Sequence, residues 1–87
     1  SYKGVVVEAL NSSLKSRLGL SADMQGVVVK EVKPKSDAFK AGILKGDIII
    51  QIENKEIHSL KDFKNATKGK NKKRVWIYRG GGIFAVA

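Results

Sequence analysis

Few side chains in this 87-residue sequence have the types and spacing that bond-breaking chemistry needs. A nucleophilic or acid–base site requires a reactive group beside an imidazole or a paired carboxylate, and a metal site requires several ligands within reach. His58 is the single histidine and cysteine is absent, which removes thiolate catalysis, thiolate ligation and disulfides. Ser12, Ser13, Ser16, Ser21, Ser36 and Ser59 stand where helix caps and turns account for them, and there is no Gly-x-Ser-x-Gly elbow. Asp37, Asp47 and Asp62 fall at helix starts or turns, and His58, beside a helix cap, reads as a polar loop residue. The expectation is a chain that is not an enzyme and that uses no metal and no cofactor.

Charge is the second source of chemistry. Seventeen Lys and Arg against eight Asp and Glu give a formal net charge of +9, which attracts acidic partners over long range. Lys64, Lys68, Lys70, Lys72, Lys73 and Arg74 crowd into one segment. One reading makes that segment a solvated basic loop. The rival reading is a nucleic-acid surface, with Trp76 and Tyr78 stacking on bases. Alternation puts both aromatics on one face of a strand, which is their simpler home, so no nucleic-acid partner is expected.

The elements that must position any site follow from periodicity. Three valines in Val5-Val6-Val7 begin a strand that runs to Ala9, and Asn11, Ser12 and Ser13 offer caps for a short helix ending at Gly19. Residues 26–32 read as a strand in which Val27, Val29 and Glu31 alternate with Val28, Lys30 and Val32, ended by Pro34. A short helix from Ser36 stops at Gly42, Gly46-Asp47 turns, and Ile48 to Ile52 form a β-branched strand. Glu53-Asn54-Lys55-Glu56 is expected as the next turn, before Ile57 re-enters the core. Ser59 with Asp62 three residues on resembles a capping box, and opens a helix over 59–68 with Leu60, Phe63 and Thr67 on one face. Residues 74–79 form a strand with Val75 and Ile77 on one face, and Gly80-Gly81-Gly82 turns into a hairpin partner over 83–86. No apolar run is long enough for a transmembrane helix, so no membrane insertion is expected. Residues 1–87 are read as a single domain excised from a larger protein.

The run Ala41-Gly42-Ile43-Leu44-Lys45-Gly46-Asp47, followed by Ile48 to Ile52 and Asn54, resembles the central signature of PDZ domains in the form carried by bacterial Do-like (HtrA) serine proteases. Gly26-Val27-Val28-Val29-Lys30-Glu31-Val32, Pro34 and Ser36-Asp37-Ala38-Phe39 keep the same order upstream, so the resemblance spans nearly the whole chain. It implies an α+β fold, a PDZ-like partly open barrel or sandwich of five to six strands with two or three helices. The strand arrangement is the permuted one of bacterial proteases.

The resemblance also implies a function. Such a domain recognises C-terminal tails or extended segments of unfolded protein by strand addition, for substrate recognition or regulation of a linked serine protease. The catalytic triad would then lie outside this chain, in a periplasmic or extracellular parent whose protease domain and other protomers are further partners. The domain would be the second of two. The alternative is a domain that mainly joins protomers, in which the tail over 83–87 itself occupies a neighbour's groove; a last sheet strand is the preferred reading of that tail.

By resemblance, Tyr2, Lys3, Gly4 and Val5 form the carboxylate-binding loop, Val6 and Val7 continue the peptide-pairing strand, and Phe63, Lys64 and Thr67 form pocket and rim. Lys3 departs from the family, which places an apolar residue before the glycine. Phe63 and Leu60 fit either the pocket or the core. A side chain at Gly4 is expected to obstruct ligand approach without unfolding the domain, and the basic loop to favour acidic ligands.

Overall fold

The computed structural model describes residues 2–69 and 73–86. Its elements in chain order are β1 (Val5–Ala9), α1 (Ser12–Arg17), β2 (Val27–Val32), α2 (Asp37–Ala41), β3 (Ile48–Ile52), β4 (Lys55–Glu56), α3 (Leu60–Ala66), β5 (Val75–Arg79) and β6 (Gly82–Val86). The strands form one antiparallel sheet in the order β1-β2-β3-β5-β6, with β4 paired to β3. Among the described residues, six strands and three helices give the α+β architecture expected from the sequence.

Two bulges explain how the strands reach the core. Val5 faces Val32 and Val6 faces Glu31, but Val7 faces Val29, so Lys30 is an extra residue on β2. The bulge lets Val29 and Val32, three apart, share a side with Val5 and Val7, two apart. The simple alternation expected for β2 therefore fails after Val29, and Glu31 is exposed. Likewise Ile49 faces Ile77 while Gln51 faces Trp76, which makes Ile50 the extra residue on β3 and brings Ile49 and Ile52 opposite Ile77 and Val75. All of these join one core with Val27, Ile43, Ile57 and Phe63. Val28 and Ile48, partners across β2 and β3, are buried on the other face.

Local signals set the helices. The Ser36 hydroxyl accepts from the Phe39 N–H at 3.1 Å, and Gly42 ends α2 in the left-handed region at φ 94°, which glycine enters without a Cβ clash. Asn11 caps α1 in the same way, accepting from the Leu14 N–H at 2.8 Å. Ser59 accepts from the Asp62 N–H at 3.1 Å, but Asp62 accepts from the His58 N–H at 2.9 Å, one residue further back than a capping box requires. The helix is shorter than expected and closes with the Thr67 hydroxyl donating to the Phe63 carbonyl at 2.7 Å.

The turn expected over 53–56 is tighter in the structure. Glu53, at φ 52°, and Asn54 make the reversal, and Lys55 and Glu56 pair back to Ile52 and Gln51 as β4. A two-residue turn satisfies two more residues' backbone groups and delivers Ile57, fully buried, to the core.

Candidate functional site

β1 is a sheet edge. Among the described residues it pairs only with β2, and its other side borders a groove of about 850 Å3 whose far wall is α3. Val5, Val6 and Val7 line the strand side; Leu60, Phe63, Lys64, Thr67 and Lys68 line the other. Spacings of three and four put Leu60, Phe63 and Lys64 on one stripe of α3, and Thr67 and Lys68 follow just past its end. The sequence left Leu60 and Phe63 open between pocket and core, and each takes a double role. Phe63 is 6% exposed and belongs to the core, yet its ring borders the groove; half-buried Leu60 packs against the same core.

The turn before β1 closes one end. Lys3 and Gly4 have φ of 53° and 89°, and the Val5 N–H donates to the Tyr2 carbonyl at 2.8 Å, the pattern of a turn with two left-handed central residues. The Lys3 carbonyl accepts from the Ala38 N–H at 3.0 Å, and the Gly4 carbonyl accepts from the Lys33 N–H at 2.9 Å. The turn is thus bonded to α2 and to the segment before it. Among the described residues, the Lys3 and Gly4 N–H groups donate to no protein acceptor, whereas Val5's is used inside the turn.

The reason for a glycine at position 4 differs from the one expected. A Cβ there would lie 2.3 Å from the Ser36 Cβ and 2.7 Å from its Oγ, so a side chain would strike the cap of α2. Substitution at Gly4 therefore perturbs the fold itself, and the expectation of an intact domain does not hold.

Tyr2 packs edge-on against Phe63, with ring centroids 6.0 Å apart, and its hydroxyl is buried without a partner among the described residues. Its role in the wall is aromatic packing. The Lys3 ammonium lies 5.1 Å from the Tyr2 ring centroid and 3.4 Å from the Lys73 carbonyl. Lys33 also lines the groove. Sequence reasoning missed Lys33, because only the β1–β2 register brings it beside Gly4, and missed Lys68, although its spacing of four from Lys64 was available.

The basic segment is not uniformly a solvated loop. The Lys73 ammonium donates to the Ala66 carbonyl at 2.9 Å and to the Lys68 carbonyl, capping the C-terminal end of α3. Lys70 and Lys72 lie outside the described residues. Elsewhere, the buried Asp47 carboxylate accepts from Arg79 Nε at 2.8 Å and Nη2 at 2.6 Å, and from the Leu44 N–H at 2.8 Å. Arg79 Nη2 also donates to the Gly42 carbonyl at 2.8 Å. The hydrogen bonds to Asp47 push the Arg79 guanidinium further above its ordinary range. His58 is exposed and lies 3.5 Å from Glu56, in keeping with a loop position.

Comparison with known proteins adds to this geometry. The family model described as PDZ domain matches residues 4–82. The chain is 33% identical over 72 residues to a probable periplasmic serine endoprotease DegP-like of Chlamydia muridarum, covering 78% of this chain and 14% of that protein. A protein of the same description from Buchnera aphidicola is 41% identical over 56 residues, 64% of this chain and 12% of its own length. The chain thus spans about one-seventh of such relatives.

Among solved structures, the HtrA3 PDZ domain bound to a phage-derived ligand superposes with a TM-score of 0.83 at 21% identity, covering 97% of this chain and 78% of that one; it shows the fold. The HtrA-type protease AlgW with a decapeptide gives a TM-score of 0.83 at 27% identity, covering 98% of this chain and 27% of its own. With nearly its full length matched by the family model and by these folds, the chain belongs to the PDZ domain family.

Proposed function

We propose that the groove captures the C-terminal tail, or an extended segment, of an unfolded polypeptide as an added strand on β1. The observation that carries this reading is the edge of β1, unpaired among the described residues and facing an apolar helix wall, closed at one end by a turn with two amides that meet no acceptor among those residues. An edge strand supplies backbone donors and acceptors to an incoming chain, and the apolar walls take alternate side chains. The Lys3 and Gly4 N–H groups receive the terminal carboxylate, with the Lys3 ammonium adding attraction. Val5 to Val7 pair with the ligand backbone, and Phe63 and Thr67 receive its last side chain. The peptide in the HtrA-type AlgW complex and the ligand on the HtrA3 PDZ domain support a peptide in this fold.

The domain serves a longer periplasmic serine protease as a substrate-recognition or regulatory module, in keeping with the names of its relatives. No helix of the described residues is long and apolar enough to cross a membrane. A second reading, a contact between protomers, draws on β6, the opposite sheet edge, where Ile83 is 62% exposed and Phe84 48%. Two copies carrying +9 each repel one another, so the groove reading is preferred.

Titration of the 15N-labelled chain with valine-terminated hexapeptides tests it. Amide shifts should concentrate on residues 3–7 and 60–68 and vanish with amide-terminated controls. Equal binding by the amide forms would refute carboxylate capture.

A further inference from the structure

Large apolar side chains left in water are few and gather in one place. Among the described residues five are exposed: Leu18, Phe39, Leu44, Ile83 and Phe84. Leu18 and Leu44 line one cleft of about 400 Å3 with Tyr78 and Arg79. Ile83 is the cross-strand partner of Tyr78 and shares its side of the hairpin, while on the other side the Phe84 ring lies 5.9 Å from the Arg79 guanidinium carbon. Four of the five therefore surround the Arg79 end of the β5–β6 hairpin, an apolar patch of the kind that marks an interaction surface.

The free charges around the patch are of one sign. Arg17 precedes Leu18, Lys45 follows Leu44 and lines the cleft, and Lys40 stands in the last turn of α2, two residues before Gly42, whose carbonyl Arg79 holds. All three are exposed, and among the described residues none pairs with a carboxylate. Asp47 is the one acid among the described residues of the cleft; it is buried, and Arg79 answers its charge. A second copy would bring the same cations, and a folded protein partner ordinarily presents both signs. A surface that is anionic throughout, with apolar depth beneath it, matches both features: it receives Lys and Arg at its own level and Leu and Phe just below. The cleft shares no residue with the peptide groove, and β6 is the sheet edge opposite β1, so both can be occupied at once.

We propose that this patch docks the domain on an anionic bilayer surface, independently of the peptide-capture reading. Leu18, Leu44 and Phe84 enter the headgroup boundary, Ile83 adds to the buried area, and Arg17, Lys40 and Lys45 lie among lipid phosphates. The contact is peripheral, since no helix of the described residues is long and apolar enough to cross a membrane. Each cation held near the surface strengthens binding about fivefold, and each apolar side chain partly withdrawn from water about three- to tenfold. The net charge of +9 adds a long-range attraction that any part of the surface can use, so the apolar contribution is what separates docking from adsorption.

The test is sedimentation of the 87-residue chain with vesicles of phosphatidylcholine, alone or containing about one-third phosphatidylglycerol. Binding is expected with the anionic vesicles only, weakening as salt rises. Leu44→Ser and Phe84→Ser should each weaken it about three- to tenfold, and Lys45→Gln about fivefold. Lys55→Gln removes the same charge at the opposite end of β5 from Arg79, where Ile52 pairs with both Lys55 and Val75, and should cost less than about twofold. In anionic bicelles a spin-labelled lipid should broaden the amides of residues 17–20, 42–46 and 79–84, a measurement that needs no variant. Failure to sediment with anionic vesicles, indifference to both serine variants, equal losses for Lys45→Gln and Lys55→Gln, or broadening centred on residues 60–69 overturns the assignment. Binding of soluble polyglutamate by the same residues, without vesicle binding, overturns it in favour of an acidic protein partner.

Discussion

Replacing Arg79 by methionine removes the partner of a carboxylate that is 2% exposed. Met approximates the arginine stem, so the change isolates the guanidinium. Asp47 then keeps one donor, the Leu44 N–H, and the Gly42 carbonyl loses its donor. Breaking a buried pair from one side costs about 3–5 kcal/mol. The Arg79 side chain is 37% exposed, so water can approach the vacated position and the expected loss falls below that range, to about 2–3 kcal/mol.

An 87-residue domain has roughly 4–13 kcal/mol in total, so the variant should remain folded at 25 °C but melt about 10–20 °C lower. Urea denaturation gives the loss, and a cycle with Asp47→Asn gives the coupling. The double variant should cost at least about 1 kcal/mol less than the sum of the singles. A loss under 0.5 kcal/mol for Arg79→Met, or strict additivity, would show that the pair does not hold the turn.

Two further perturbations separate scaffold from site. Gly4→Ala drives a Cβ into Ser36 from a left-handed backbone, and should cost about 2–4 kcal/mol in urea while speeding hydrogen exchange at the Phe39 amide; an unchanged midpoint would mean the turn stands away from α2. Lys73→Met should cost about 1 kcal/mol through the uncapped end of α3, whereas Lys64→Met should change stability by less than 0.5 kcal/mol; equal effects would mean that the basic segment acts only through its summed charge.

Much of the scaffold is legible in the sequence because its signals are local. Ser36, Gly42, Asn11 and Ser59 stop and start helices by bonds that span three or four residues, and the isoleucines of β3 advertise a buried strand. The bulges at Lys30 and Ile50 are not legible, since an extra residue is defined only against a partner strand. The same limit hides Lys33 from the site and Arg79 from Asp47, groups 29 and 32 positions from their partners Gly4 and Asp47. Phe63 was undecided between core and groove because a helix that forms the wall of a shallow cleft presents one face to both.

The five-residue helix α2 is tied down at both ends. Its first turn carries the Lys3 carbonyl and packs Ser36 against Gly4, and the carbonyl of its C-capping residue, Gly42, is gripped by Arg79. The turn proposed to receive the carboxylate is therefore shaped by contacts within the domain itself. Capture then pays little ordering entropy at the carboxylate end, and the encounter rate is limited by the flexible tail that docks, not by a loop that must close. Loosening the Arg79 clamp, some distance along the chain from the groove, should appear first as slower association rather than as a lost contact.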